Sequence, residues 1–292
     1  MKRKAIIMAA GNGTRLRPIT TAINKHLAPV YDKPMILYSL STVMLAGMRE
    51  VLLVTNPGDE GAFRHLLGDG DRFGIEISYA IQDAPAGLPD AYILAEEFLD
   101  GCASVMTLGD NLFYGHGLSS SLRKGLATEN SSIFLYYVDN PRPYGVAILD
   151  DAGNIENVIE KPAESVSNFA IAGLYLLDAR ASEIAKNLTP SQRGELEIVD
   201  MIRVYLEENS LDVVHIGRGI TWMDMGTADR LLAASNYMQL IQNHANLKVC
   251  VPEEIAWSNG WIDENNLKRS AKLFEGTPYG DYLRLLPALP KY

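Results

Sequence analysis

The chain has 292 residues, 47% hydrophobic and 21% charged, ordinary proportions for a globular protein with ample material for a core. Its formal charge of −10 argues against a nucleic-acid coat or an anionic membrane as partner, although a few local cations can still hold a small phosphate ligand. There is no run of about 18 apolar residues, so no membrane span is expected, and the apolar run after Met1-Lys-Arg-Lys4 is too short for a signal peptide. Cys102 and Cys250 lack CxxC spacing and read as buried free thiols in a reducing compartment, which makes the cytoplasm the expected location.

The first element is an apolar run from Ala5 that reads as a buried strand and feeds a small, basic, glycine-containing loop, Gly11-Asn-Gly-Thr-Arg15. Pro34 to Ala46 has helical spacing and stops at Gly47. Glu50 to Thr55 reads as a strand, Asp59 to Leu67 as a helix, and Ile75 to Gln82 as a strand. The loop Asp83-Ala-Pro-Ala-Gly-Leu-Pro-Asp90 leads into a helix through Phe98, and Ser104 to Leu108 is a buried strand ending in Gly109-Asp110-Asn111. Strands alternating with helices predict a parallel, doubly wound α/β sheet, Rossmann-like, whose ligand lies beyond the carboxyl ends of the strands. The Gly11 loop, Gln82 and Asp110 all fall at such ends.

Four strands with short connections follow, at 132–138, 145–149, 155–160 and 169–177, as antiparallel or mixed additions to the sheet. Helices are expected over 179–188, 195–208 and from Thr227 to about His244. Further strands are expected over 211–217 and just before Asp224. The tail from Asn246 reads as a small helical appendage with a helix near 264–274. No repeat or low-complexity tract interrupts the chain.

The Gly11 loop reads as a triphosphate cradle. Gly11 and Gly13 let backbone N–H groups approach an anion, Arg15 offers a planar fork of donors, and Lys25 adds a second cation. A P-loop is excluded because its Gly-Lys-Ser/Thr ending is missing. A dinucleotide fingerprint is weakened by Leu16 where a small residue is needed, although Asp32 lies at a plausible ribose-binding distance along the chain. Asp110 and Asp224 each follow a strand; each suits a hard cation or, alternatively, a helix N-cap. Together they suggest a metal–phosphate site. A two-carboxylate hydrolase competes with this reading but explains neither Arg15 nor Lys25. Glu160-Lys161-Pro162 reads as a phosphate and sugar contact or as a solvated turn. No histidine pair has metal-ligand spacing, and no Gly-x-Ser-x-Gly elbow supports acyl transfer.

These motifs come in one order: Gly11-Asn-Gly-Thr-Arg-Leu-Arg-Pro18, Tyr31-Asp-Lys-Pro-Met35, Gly109-Asp-Asn-Leu-Phe-Tyr-Gly-His116, Tyr144-Gly-Val146, Glu160-Lys-Pro162, Arg193-Gly-Glu-Leu-Glu-Ile198, Trp222-Met-Asp-Met-Gly-Thr227 and Glu253-Glu-Ile-Ala256. Over nearly its whole length the chain resembles the glucose-1-phosphate thymidylyltransferase family of sugar nucleotidyltransferases. The resemblance implies a catalytic domain over 1–245, with a nucleotide half to about 130 and a sugar-phosphate half at about 131–227. It also implies an interface or regulatory appendage over 246–292, a homo-oligomer (tetramer or dimer), dTTP and a sugar 1-phosphate as substrates, and Mg²⁺ as cofactor.

Residue by residue, the resemblance makes Arg15, Lys25, Lys161 and Asp110 catalytic. Ala10, Gly11, Asn12, Gly13, Thr14, Gln82, Pro85 and Gly87 join Arg15 and Asp110 around the nucleotide. Asn111, Tyr144, Gly145, Glu160, Ala172 and Glu197 join Lys161 around the sugar phosphate, and Asp110 and Asp224 hold the metal. Tyr114, Gly115, His116, Arg218, Glu254, Ile255 and Ser258 match a regulatory nucleotide-sugar site. The chain departs from the family at Ala10, His26, Ala172, Val199 and Ser258-Asn259, where a Gly, a Gln, two Thr and an Arg-Lys pair are usual. The lost hydroxyls at Ala172 and Val199 make a modified or deoxygenated hexose an alternative acceptor, UTP an alternative donor, and the missing Arg predicts weakened feedback by dTDP-rhamnose. A non-catalytic nucleotide-sugar sensor and a nicotinamide oxidoreductase are the readings of other classes.

Overall fold

The computed structural model describes residues 2–290. In chain order its strands are β1 (Arg3–Ala9), β2 (Pro29–Val30), β3 (Lys33–Pro34), β4 (Glu50–Thr55), β5 (Glu76–Ile81), β6 (Ala103–Leu108), β7 (Asn111–Gly115), β8 (Ser131–Tyr137), β9 (Gly145–Leu149), β10 (Ile155–Glu160), β11 (Phe169–Leu177), β12 (Leu211–His215) and β13 (Ile220–Asp224). Its helices are α1 (Ile36–Leu45), α2 (Glu60–Leu67), α3 (Asp90–Leu94), α4 (Glu96–Leu99), α5 (Leu118–Leu126), α6 (Ala181–Lys186), α7 (Ile198–Glu207), α8 (Ala228–Ala245), α9 (Pro252–Ser258), α10 (Glu264–Leu273) and α11 (Pro278–Leu285).

β6, β1, β4 and β5 form a parallel core, and β11 adds to it antiparallel beside β6. From β11 the sheet continues through β9 to β10 and, separately, through β8 to β12. The chain leaves β1 toward β4 and β5, then returns to the other side of β1 as β6. The strand order therefore reverses at the ends of β1 and β6, where an open α/β sheet leaves a crevice. The Gly11 loop and Asp110 both stand there.

Alternation along the strands builds a core on each face of the sheet. Ala5, Ile7 and Ala9 point to one face, packed with α1, α2, α5 and the tail helices. Ile6 and Met8 point to the other, packed with α3, α6 and α7. The tail contributes Val251, Ala256, Leu267 and Leu283 to the first core, all nearly inaccessible to solvent. A third core joins Leu16 and Met35 to Met225 and Met238 of α8, beneath a two-stranded ribbon of β7 and β13.

Several expectations need correction. The helix expected through Phe98 is two short ones, α3 and α4. The helix expected from Glu195 begins at Ile198, leaving Glu197 extended before its first turn. Neither Asp110 nor its neighbour caps a helix; strand β7 follows directly. Helices α5, α9 and α11 have no counterpart in the sequence reading. The serine-rich α5 buries only Leu118, Leu122 and Gly125, while α9 and α11 each open with a proline, as helix first turns favour. Both cysteines are free and half-buried, not fully buried. Asp32 sits in the turn between β2 and β3, bound to Lys33 Nζ at 2.8 Å and Lys248 Nζ at 2.6 Å. It ties the tail to the body, which leaves the ribose-binding reading without support.

A second tie is more deeply buried. Glu253 of α9 is 1% exposed; it accepts a hydrogen bond from Tyr279 Oη at 2.7 Å and faces Arg72 Nε at 3.3 Å. Arg72 Nε is out of line for a hydrogen bond, so the pairing is Coulombic. Behind the Gly11 loop, His26 is 1% exposed and its Nδ1 lies 2.8 Å from Asn24 Oδ1. Burial, reinforced by the neighbouring Lys25 charge, pushes its pKa from 6.5 down to about 3.

Removing Glu253 (Glu253→Ala) leaves Arg72 without its acid, and the expected loss is about 3 kcal/mol in urea unfolding, at the low end for a broken buried pair because Arg72 keeps some solvent contact. His26 folds neutral, whereas the unfolded imidazole takes up a proton below about 6.5. Its contribution is therefore complete above that pH and shrinks as pH falls toward 3. Between pH 6.5 and 5, wild-type stability should fall more steeply than that of His26→Gln, by up to about 1.4 kcal/mol per pH unit, read from unfolding curves at each pH.

Candidate functional site

Two adjoining clefts of about 180 and 200 Å³ open at the carboxyl ends of the parallel strands. They share Leu88, Glu160, Lys161 and Ile198, so they are halves of one site. The first is lined by Arg15, Asp110, Asn111, Tyr144, Gly145, Val199 and Asp224, the second by Ala10, Gly11, Gln82, Pro85, Gly87 and Glu197. Residues expected from the two ends of the sequence thus face one space. Asn12, Gly13 and Thr14 continue the loop outside the lining, with Asn12 and Thr14 exposed.

Asp110 leaves β6 and is 8% exposed. Its Oδ2 accepts from Lys25 Nζ at 2.6 Å, and its Oδ1 from Asn111 Nδ2 at 2.9 Å. Burial opposes its charge, but Lys25 and these hydrogen bonds outweigh burial and hold the carboxyl well below the ordinary range. The ribbon brings in Asp224: β13 pairs with β7 so that Asp224 stands opposite Asn111, and Met225 N–H donates to Asp110 O at 2.9 Å. Asp224 receives Arg230 Nη1 at 2.5 Å and Gly226 N–H at 2.9 Å. Its pKa is nevertheless raised, first by burial and then by the Asp110 charge.

Arg15 completes this wall. A Cβ at Gly226 would lie 2.7 Å from Arg15 Nη2 and 2.9 Å from Asp224 Oδ1, so a side chain there would push the guanidinium and the acid aside. Lys161 stands opposite, at the end of β10, with φ 41°. Its N–H donates to Tyr144 O at 3.0 Å and its Nζ pairs with Glu160 at 2.9 Å.

The two halves are also tied through backbone. Leu196 N–H donates to Ala86 O at 2.8 Å, and a Cβ at Gly87 would meet Leu196 O at 2.0 Å. The loop after β5 therefore lies directly against the segment carrying Glu197. Burial opposes the Glu197 charge, but hydrogen bonds from Arg193 at 2.6 Å and Ser191 at 2.7 Å keep its pKa low.

Among the residues expected on the sugar side, Ala172 does not reach the cleft. Ala172 is fully buried in the core on the far face of β11, while Ile171, Gly173 and Tyr175 line the cleft. Alternation along β11 sends the Ala172 methyl away from any ligand, so its side chain is not a sugar contact. The regulatory set lies apart from the cleft. Tyr114 and Gly115 are on β7, Glu254 and Ile255 on α9, and Ser258 ends that helix. Burial raises the pKa of Tyr114 and of Glu254, and the Glu254 charge raises that of Tyr114 further, so these two share one environment. His116 directly follows β7 and Arg218 lies in the turn between β12 and β13.

Sequence reasoning missed the groups that hold the site. Asn56 grips Gly11 at both ends, accepting its N–H at 2.8 Å and donating to its carbonyl at 3.3 Å. Asp59 Oδ2 accepts from Asn56 at 3.0 Å and from Asn24 at 2.7 Å. A polar residue at the end of β4 was the available signal for Asn56. Arg230, one turn into α8, had no local signal.

The comparisons with known proteins agree with this geometry. Residues 4–240 match the family model described as nucleotidyl transferase. A glucose-1-phosphate thymidylyltransferase of Xanthomonas campestris pv. campestris (strain B100) is 47% identical over 286 residues, 98% of this chain and 97% of the relative. One from Neisseria gonorrhoeae is 48% identical over 281 residues, 96% of this chain and 98% of that one. A Bacillus anthracis structure described as a glucose-1-phosphate thymidylyltransferase with sucrose superposes with a TM-score of 0.74 at 34% identity, covering 81% of this chain and 95% of that one. With its fold, its cleft and its sequence in accord, the chain belongs to the nucleotidyl transferase family.

Proposed function

We propose that the chain joins dTTP to glucose 1-phosphate, giving dTDP-glucose and pyrophosphate. The observation that carries this reading is that Arg15, Asp110, Lys161 and Asp224 line one cleft at the strand ends. The names of the similar proteins support the substrate pair.

A phosphate oxygen of the sugar 1-phosphate attacks the α-phosphorus of dTTP. The new O–P bond forms as the bond to the β-phosphate oxygen breaks, and pyrophosphate takes the electron pair. The nucleophile is already an anion, since the second phosphate pKa lies near 6, so no general base is required. What remains is alignment and charge neutralisation. Gly11 and Gly13 let the loop backbone come close to the triphosphate, with the Gly11 N–H itself held by Asn56, Arg15 offsets charge on the α-phosphate and the leaving group, and Lys161 holds the sugar phosphate in line. Lys25 serves at the reacting phosphates and keeps Asp110 ionised. Glu160, Glu197 and the Gly145 backbone take sugar hydroxyls.

Asp110 and Asp224 fit a divalent cation. Burial and then the neighbouring Asp110 charge raise the Asp224 pKa, and two carboxylate donors at one wall of the cleft suit Mg²⁺, which retains waters and substrate phosphates. These two side chains would hold Mg²⁺, which would neutralise charge on phosphate oxygens.

We further propose a cytoplasmic homo-oligomer, tetramer or dimer, built with the 246–292 segment, and a regulatory site around Tyr114 and Glu254 that Ser258 weakens. No helix among the described residues is long and apolar enough to cross a membrane. Val199, apolar at the sugar side of the cleft, favours as a second reading a hexose lacking one hydroxyl.

Pyrophosphate release on mixing dTTP, Mg²⁺ and glucose 1-phosphate is the direct test; no release would refute the transfer. A panel of sugar 1-phosphates and of dTTP against UTP then separates the readings. Arg15→Ala should lower turnover by about 100-fold or more with the fold retained by circular dichroism. Near-normal turnover would remove Arg15 from the mechanism.

A further inference from the structure

The Gln82 side chain is 6% exposed and lines the nucleotide half of the cleft. Both hydrogens of Nε2 are taken, by Asp90 Oδ2 at 2.8 Å and by Gly87 O at 3.2 Å. Two acceptors side by side decide which end of the amide is nitrogen. Turned over, Oε1 would face a carboxylate and a carbonyl oxygen, both repulsive. Oε1 itself has no hydrogen-bond partner among the described residues and is not sealed away from the cleft. An amide oxygen held in this way accepts a hydrogen bond and cannot donate one.

Pyrimidine bases differ at the position such an oxygen would read. Thymine and uracil carry an N–H at N3, whereas cytosine has a bare acceptor nitrogen there. A fixed Oε1 attracts the first two and repels the third. Asp90, the first residue of α3, is the stronger of the two anchors, because a carboxylate accepts more strongly and at shorter range than the Gly87 carbonyl. We propose that Asp90 is a specificity-positioning residue that pins the Gln82 amide and so selects nucleoside triphosphates bearing N3–H over those of cytosine. The inference rests on the nucleotidyl transfer proposed above, with Gln82 facing the base. Without Asp90 the amide is free to turn and to offer Nε2 to cytosine N3.

The test compares kcat/KM for dUTP and dCTP with glucose 1-phosphate. These substrates share the sugar and lack the methyl group, so they differ only along the edge in question. Wild type should prefer dUTP, and Asp90→Ala should shrink the dUTP-to-dCTP ratio by about tenfold or more. Asp90→Asn, whose Oδ1 still accepts from Gln82, should keep most of it. A general loss of fold would lower both substrates together and leave their ratio alone. N3-methyl-dTTP gives an arm that needs no variant, with an expected efficiency on wild type at least about tenfold below dTTP. A wild-type ratio near one, an unchanged ratio in active Asp90→Ala, or full use of N3-methyl-dTTP overturns the proposal. Absence of product from wild type with dTTP, by contrast, sinks the transfer reading and takes this inference with it.

Discussion

Two carboxylates facing one another out of bulk water are the constraint around which this molecule is arranged. Asp110 and Asp224 come from different ends of the chain and repel each other. The fold tolerates them because each has its own cation, Lys25 for one and Arg230 for the other. The two acids respond differently: Lys25 and Asn111 keep Asp110 charged, while burial and the Asp110 charge leave Asp224 the easier of the two to protonate. Two acids balanced by Lys25 and Arg230, with Arg15 in the same lining, thus place both signs of charge at one wall of the cleft.

Topology makes the juxtaposition possible. The reversal of strand order between β1 and β6 opens the crevice, and the β7–β13 ribbon then carries Asp224 back across more than a hundred residues of sequence to sit opposite Asn111. The ribbon is secured by Trp222, whose indole N–H donates to Asn111 Oδ1 at 2.6 Å. Gly226 keeps the space between Asp224 and Arg15 open.

Much of this was legible in the sequence, for identifiable reasons. The parallel strands are short apolar runs, β1, β4 and β6 largely buried and β5 at the sheet edge, and the residues just beyond them mark the site. Gly11, Gln82 and Asp110 could be read this way. Local pattern failed where tertiary contact decides. Ala172 resembles a site position by alignment, yet the period of the strand turns it into the core. Asn56 grips Gly11 and Asp59 reaches Asn24 across long stretches of sequence, contacts which no local periodicity encodes, and Arg230 meets Asp224 only because α8 turns back toward the end of β13. Of the tail helices, α10 was read from the sequence, whereas α9 and α11 were not, because their burial depends on α1 and the sheet.

The two substrate halves are not independent modules. Gly87 lies so close to Leu196 that no side chain fits between them, and Ala86 accepts a hydrogen bond from the Leu196 N–H. Glu197, held by Arg193 and Ser191, is the next residue along. A shift of the loop after β5 therefore presses directly on the segment that carries Glu197. Lys161 stands on the boundary, lining both halves. In-line transfer requires the attacking oxygen and the leaving oxygen to lie on opposite sides of one phosphorus, and small misplacements of either are costly. Backbone-to-backbone contact is a stiffer way to fix that relation than a pair of long side chains, because no rotamer freedom is lost in holding it.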